Sequence, residues 1–284
     1  MEEEKLALYV NMLKKSIDIG RIPHLIFVGP SGSSKTYTPN VLAKDTNLSF
    51  LSINAGLLSN SDDLFQAICD SVRQGENSCG KILFIDEAHS LKKKLQDILL
   101  TVMENKDITH DSKKYIISPF GNPDLFAVWY ATTNEEKMMM PLVNRCLRIA
   151  TELPTEAEKI RYLMKNFNGV TTEDYTLLLN TCINYRDMVS IKNLYETTRN
   201  VKEALNLLGI VEGLFPDEFT YLNTLWTNGI MSIKQIASIL CLDPETVERI
   251  EHRLIRRRLI KITSQGRQIS NSLSYPSDIK LEKA

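Results

Sequence analysis

Apolar residues along the first half of the chain follow two alternating periods. Leu6, Val10, Leu13 and Ile17 recur at helical spacing and predict a helix over 4–18, broken by Gly20 to Pro23. Leu25-Ile-Phe-Val28 is a short continuous apolar run ending at Gly29, as a buried strand requires. The same pattern returns at Phe50 to Ile53, Ile82 to Ile85 and Phe126 to Tyr130, with helical stretches at Ser61 to Arg73 and Leu91 to Asn105. Strands alternating with helices predict an α/β unit built on a parallel sheet covered on both faces.

After Pro154 the strand signal fades. Helices are predicted over 155–166, 172–182, 186–198 and 201–208, and Gly213 and Pro216 mark a further boundary. Ser232-Ile-Lys-Gln235 carries a capping-box pattern, with Ile233, Ile236, Ala237 and Leu240 on one face. Asp243 suits an N-cap and Pro244 the first helical position, and Val247, Ile250 and Leu254 point one way on the helix that follows. Two short helices joined by a tight turn, then a β-like tail over 259–270 around Gly266, describe a winged helix. The expected division is an α/β domain over 1–151, a small helical domain over 152–211 and a winged-helix domain over 212–284.

Composition narrows the class without choosing a function. Of 284 residues, 43% are apolar and 24% charged, with 34 basic against 35 acidic side chains, so no global excess of positive charge points to nucleic acid. The five cysteines, Cys69, Cys79, Cys146, Cys182 and Cys241, are odd in number and never spaced C-x-x-C, which argues for free thiols in a reducing compartment. The Met-Glu-Glu-Glu start is acidic where a secretory signal is basic, and no apolar run reaches the roughly 20 residues of a membrane span. A soluble cytoplasmic protein without a membrane partner is expected.

Charge is unevenly placed, however. Between Arg249 and Arg267 seven basic residues, Arg249, Arg253, Arg256, Arg257, Arg258, Lys261 and Arg267, face the single acid Glu251. Arg256, Arg257, Arg258, Lys261 and Arg267 are the candidate contacts to a DNA backbone, where neutralised phosphates release counterions.

Two motifs carry chemistry. Gly29-Pro30-Ser31-Gly32-Ser33-Ser34-Lys35-Thr36 follows the first strand and opens a helix, close to the phosphate-loop template G-x-x-x-x-G-K-[ST]. Its glycines allow backbone N–H groups to converge on an anion, Lys35 is placed for the outer phosphates and Thr36 for Mg²⁺. Ser34 stands where the template has its last glycine. About fifty residues on, the apolar run 82–85 ends in Asp86-Glu87, the pattern of a buried strand delivering acids to the ligand-binding edge of a sheet. Asp86 would act on the metal, and Glu87 would orient and deprotonate an attacking water. His89 reads equally as a surface residue or a functional one.

At this point the chain resembles the RuvB-like branch of AAA+ ATPases, motors of Holliday-junction branch migration. Leu83-Phe-Ile-Asp-Glu-Ala-His-Ser-Leu91 is similar to that family's L-F-I-D-E-I-H-R-L, and Met103-Glu104 to its Y-P-A-M-E-D stretch. Ala131-Thr132-Thr133-Asn134 is similar to its A-T-T-R, which implies that Thr133 is the sensor of the γ-phosphate. Pro141-Leu-Val-Asn-Arg145-Cys146 is similar to P-L-x-x-R-F-G, which implies that Arg145 serves a neighbouring subunit's ATP, with Arg148 as fallback. Arg186 falls where the family has the arginine of G-T-x-R, which acts on the subunit's own nucleotide, although Gly-Thr is absent here. Gln265-Gly-Arg267 matches the family's wing tip and Tyr275-Pro276 its closing Y-P.

The resemblance implies ATP with Mg²⁺, double-stranded or four-way-junction DNA, self-association into a homohexameric ring and a RuvA-like junction-binding partner, in a bacterial or phage-infected bacterial cytoplasm. Two departures qualify it. Little chain precedes Gly29, so adenine is expected to be held either less firmly or by Arg21, Ile22 and His24; and 108–117, where the family has a partner-gripping hairpin, reads either as a hairpin with a charged tip or as a linker. Two other functions stay open: a clamp-loader or helicase-loader ATPase, suggested by Asn144-Arg145-Cys146, and a DNA-binding module switched by ATP without turnover.

Overall fold

Five parallel strands organise the first half of the chain. In order along it are α1 (Glu3–Asp18), β1 (Leu25–Val28), α2 (Tyr37–Asp45), β2 (Ser49–Asn54), α3 (Ser61–Arg73), β3 (Lys81–Asp86), α4 (Lys93–Asn105), β4 (Asp107–His110), β5 (Lys113–Ile116), β6 (Phe126–Thr132), α5 (Met140–Val143) and β7 (Leu147–Ala150). The computed structural model describes residues 3–75, 77–211 and 213–270, and these form two compact units, Met1–Thr155 and Glu156–Ala284.

The sheet of the first unit has the order β2-β3-β6-β1-β7, every neighbour parallel. Successive side chains of a strand point to opposite faces, and here both faces are covered. Ile82 and Phe84 pack with Leu13 of α1 and Leu42 of α2. Leu83 and Ile85, one residue out of phase, pack with Leu64 and Ile68 of α3 and Leu99 and Val102 of α4. This double burial is why the strands read as unbroken apolar runs.

Because β6 lies between β1 and β3, the loops after all three emerge side by side at one edge. The edge strand β7 has no counterpart in the apolar pattern. Only Ile149 of its four residues is buried, and one position defines no period.

Residues 107–116 form a hairpin rather than a linker. Asp111 and Ser112 both adopt positive φ, 48° and 59°, the conformation of a two-residue primed turn. The hairpin is held from outside: His110 stacks on Phe65 of α3 at 4.0 Å, and its Nε2 lies 3.2 Å from Asp62 Oδ1.

The second unit contains two apolar clusters. Helices α6 (Glu156–Asn166), α7 (Thr172–Thr181), α8 (Tyr185–Thr198) and α9 (Val201–Leu207) surround Leu163, Leu178, Met188, Ile191 and Ala204. Helices α10 (Pro216–Asn228), α11 (Ile233–Leu240) and α12 (Pro244–Arg256), with the antiparallel pair β8 (Ile260–Thr263) and β9 (Gly266–Ile269), surround Tyr221, Leu225, Ile236, Val247, Leu254 and Ile260. The caps follow the expected chemistry: Ser232 and Gln235 cap α11 reciprocally, and Asp243 Oδ1 accepts from the Thr246 N–H at 2.9 Å. Gly266 is needed where it stands, since a Cβ there would lie 2.6 Å from Met231 O. Tyr275-Pro276 lies outside the described residues.

His24 is committed to this fold. Its Nδ1 accepts from the Val128 N–H at 2.9 Å, and Lys106 Nζ lies 3.0 Å from Nε2. Burial, then the neighbouring Lys106 charge, holds its pKa down to about 3. Folding therefore keeps the ring neutral while the unfolded chain binds a proton near pH 6.5. Stability is complete above that pH and is expected to fall by about 1.4 kcal/mol per unit as pH drops from about 6.5 toward 3. A comparison of urea midpoints at pH 7 and 5 in wild type and His24→Gln checks this; the variant should lose about 2 kcal/mol of the difference. Ile22, 4% exposed, is likewise a core residue, so neither it nor His24 is free to meet a base.

Candidate nucleotide site and nucleic-acid interface

The loop after β1 is folded by contacts along its own length. Gly29 admits no side chain, because a Cβ would lie 2.1 Å from Thr151 O at the end of β7. Ser33, 1% exposed, places its Oγ 2.8 Å from Thr151 Oγ1 and donates to Pro30 O at 2.8 Å. Lys35 is 6% exposed, with its Nζ donating to Pro30 O at 2.6 Å, so the ammonium lies within the curl of the loop. Thr151 thereby supports the loop, and a threonine after a four-residue edge strand carries only a weak signal in the sequence.

Ser34 has φ 65°, a left-handed conformation that favours glycine. That conformation costs a non-glycine residue about 1–2 kcal/mol. Glycine in its place would give back about 0.4–1 kcal/mol through the freedom of the unfolded chain. Ser34→Gly is therefore expected to stabilise the protein by about 0.5–1 kcal/mol. A higher urea midpoint at constant m-value would show it, and a lower midpoint would mean that the Ser34 Oγ contact to Thr38 Oγ1, at 3.3 Å, outweighs the strain.

Two oxygen donors meet beside the loop. The Thr36 hydroxyl donates to Asp86 Oδ2 at 2.7 Å, while Asp86 Oδ1 accepts from the Glu87 N–H at 2.9 Å. A hydroxyl and a carboxylate in contact, next to a lysine-bearing phosphate loop, suit a hard divalent cation such as Mg²⁺. Glu87 itself is left-handed, with φ 52° and ψ 41°, and half-exposed. Strain of this kind in a non-glycine residue collects at functional sites.

His89 lies in the same cluster, with Nδ1 3.2 Å from Thr132 Oγ1 and 3.4 Å from Glu87 Oε2. It thereby links the acid to the strand between β1 and β3. Thr132 is fully buried, and its Oγ1 also accepts from the Asn134 N–H at 3.0 Å. Thr133 follows the strand end and is exposed.

The structure thus brings Lys35, Thr36, Asp86, Glu87 and His89 to one edge, with Thr133 at the end of the strand between them. Arg145 stands apart on the surface after α5, paired with Glu104 and donating to Pro141 O at 2.7 Å. Arg148 pairs with Glu135 at 2.9 Å. Arg186, in the second unit, is exposed on the first turn of α8.

The basic residues of α12 and the wing divide into two groups. Arg267 Nε and Nη2 donate to Glu251 at 3.0 and 3.3 Å, and that carboxylate, 3% exposed, also accepts from Tyr221 OH at 2.9 Å. Arg257 Nη1 donates at 2.9 Å to Glu218, which is fully buried. Both guanidiniums thus serve carboxylates that burial would otherwise leave unpaired. Arg253 is similarly engaged by Asp217 and Glu218. Arg256, Arg258 and Lys261 are exposed and form no ion pair among the described residues.

Among the described residues no helix is long and apolar enough to cross a membrane. The model of the ATPase family associated with various cellular activities (AAA) matches residues 25–155, and that of the RuvB C-terminal winged helix domain matches 211–273. The chain is 28% identical over 313 residues to the Holliday junction branch migration complex subunit RuvB of Phytoplasma mali (strain AT), covering 96% of this chain and 87% of the relative. It is 27% identical over 297 residues to the protein of the same name from Mycoplasma genitalium, covering 94% and 90%. A solved mutant of Thermotoga maritima RuvB shares the fold, with TM-score 0.68 and 18% identity over 94% of this chain and 91% of that one.

Proposed function

Because the chain is a RuvB-like AAA ATPase, with an AAA domain followed by a RuvB-type winged helix, we propose that it hydrolyses ATP to drive branch migration and translocation on duplex or four-way-junction DNA. The observation that carries this reading is the Thr36–Asp86 contact of 2.7 Å, which joins the phosphate loop to the acid pair.

The loop Gly29 to Thr36, through its N–H groups not already donated within the protein, and the Lys35 ammonium bind the triphosphate. Thr36 and Asp86 hold Mg²⁺, which supplies charge neutralisation on the phosphate oxygens. Glu87 accepts the proton of the attacking water, and Thr133 orients that water against the outer phosphate. Arg145 acts on the nucleotide of a neighbouring copy, and this requires a ring, taken here as a homohexamer. Arg186 responds to the nucleotide of its own subunit. The β4–β5 hairpin is the site for a RuvA-like junction-binding partner. The three domains are taken as 1–151, 152–211 and 212–284.

DNA is met by Arg256, Arg258 and Lys261 through phosphates, which suits a motor that must move along any sequence. The winged helix over 211–273 favours this reading over a clamp loader or helicase loader, whose client would be a protein. Steady-state ATP turnover with and without duplex and four-way DNA tests the motor, and turnover indifferent to both would overturn it. Arg258→Ala and Lys261→Ala are each expected to reduce the slope of log affinity for duplex DNA against log salt by about 0.9, whereas Arg267→Met leaves the slope unchanged.

A further inference from the structure

Arg253, in the last turn of α12, and Arg257, its C-cap, lie four residues apart. Both reach Glu218, which has no exposed surface: Arg257 donates to Oε2 at 2.9 Å, and Arg253 Nε lies 3.1 Å from Oε1, in ion-pair range though not aligned as a hydrogen bond. Glu218 also accepts from the Phe215 N–H at 2.9 Å, and Arg253 pairs with Asp217 as well. The cluster extends beyond the winged helix. The Arg253 guanidinium lies over the Phe215 ring at 5.4 Å, and Phe215 packs against the core of α6–α9.

The same core takes in Tyr185 and Met188, on either side of Arg186 and Asp187 in α8, and Asp187 Oδ2 accepts from the Ile183 and Asn184 N–H groups at 3.1 and 3.2 Å. Asp187 is the neighbour of Arg186. A second meeting point is Gly213, where a Cβ would lie 3.0 Å from Thr181 Oγ1 of α7 and 3.4 Å from Arg257 Nη2. Apolar packing of similar volume is commonly as stable as a buried ion-pair cluster, so such a cluster is a poor device for stability alone. Its directional bonds do transmit position.

We propose that Arg253, held by Glu218, is a positioning residue that ties the DNA-facing helix α12 to the turn of α8 bearing Arg186, so that a shift of either displaces the other. The consequence for turnover rests on the motor reading above; the mechanical tie does not.

Hydrogen–deuterium exchange on the full chain without nucleotide tests the tie. In Arg253→Met the amides of Ile183, Asn184 and Asp187 are expected to exchange about tenfold faster, while those of α11 stay within about twofold of wild type. Arg253→Lys should restore part of the protection. DNA-stimulated turnover in Arg253→Met is expected to fall about tenfold with basal turnover within about twofold, and the salt slope of DNA binding should not change.

Unaltered exchange at 183–187 overturns the proposal, as does a salt slope reduced by about 0.9, which would make Arg253 a phosphate contact. Glu218→Gln, which keeps the side-chain shape, is read by the same amides and decides the matter if Arg253→Met does not fold. A wild-type chain whose turnover ignores DNA would defeat the motor reading, and the exchange result would still decide the tie.

Discussion

Glu87→Gln is expected to reduce ATP turnover by about 10²–10⁴-fold while leaving ATP affinity within a few-fold of wild type. The glutamine keeps the size of the side chain and its ability to accept a hydrogen bond, but it is too weakly basic to take a proton from water. The groups proposed to bind the nucleotide are separate from it. Lys35 sits within the loop, and Thr36 and Asp86 meet each other at 2.7 Å without using the Glu87 carboxylate. The bond across the acid pair runs from the Glu87 N–H to Asp86 Oδ1, a backbone donor that the substitution preserves. Turnover measured beside equilibrium binding of a labelled nucleotide separates the outcomes. Equal loss of both would make Glu87 a structural residue, and undiminished turnover would place the base elsewhere.

The second large effect is expected at Arg145. Its ion pair with Glu104 is about two-fifths exposed on both sides, and a pair of that kind contributes at most about 1 kcal/mol. Arg145 can therefore leave Glu104 at little cost, and an arginine acting on a neighbour's phosphates contributes about 10³–10⁵ in rate. Arg145→Ala should lose turnover on that scale while still binding ATP. The arrangement between subunits is tested by mixing. In a ring assembled from equal parts of Arg145→Ala and Glu87→Gln, each inactive alone, about a quarter of the interfaces would pair an intact Glu87 with an intact neighbouring arginine. Recovery of that share of activity supports action between copies. A mixture as inactive as its parents would mean that Arg145 acts within its own chain or not at all.

Much of this site was legible because its determinants are local. A strand buried on both faces must be apolar throughout, so Leu25 to Val28 and Ile82 to Ile85 stand out against the polar chain around them. The residues that follow such strands necessarily emerge at the sheet's edge, which located the phosphate loop and the acid pair. Helix ends were equally readable, since Ser232, Gln235 and Asp243 cap α11 and α12 through bonds spanning three residues. Where burial is sparse the pattern fails, as in β7, and where alternation is weak and the middle charged, as over 108–117, it leaves hairpin and linker open.

By itself, then, the order of residues determined the strand–helix alternation, the loop Gly29 to Thr36, the Asp86-Glu87 pair and the concentration of positive charge after Arg249. Each depends on neighbours within a few positions. Only the tertiary structure decided which of those charges are free. Arg257 and Arg267 lie 39 and 16 residues from the carboxylates that engage them, Glu218 and Glu251, and Ser33 lies 118 residues from Thr151. Such pairings arise where packing buries one partner and so obliges it to find the other, and burial is a property of the folded chain that no local period encodes.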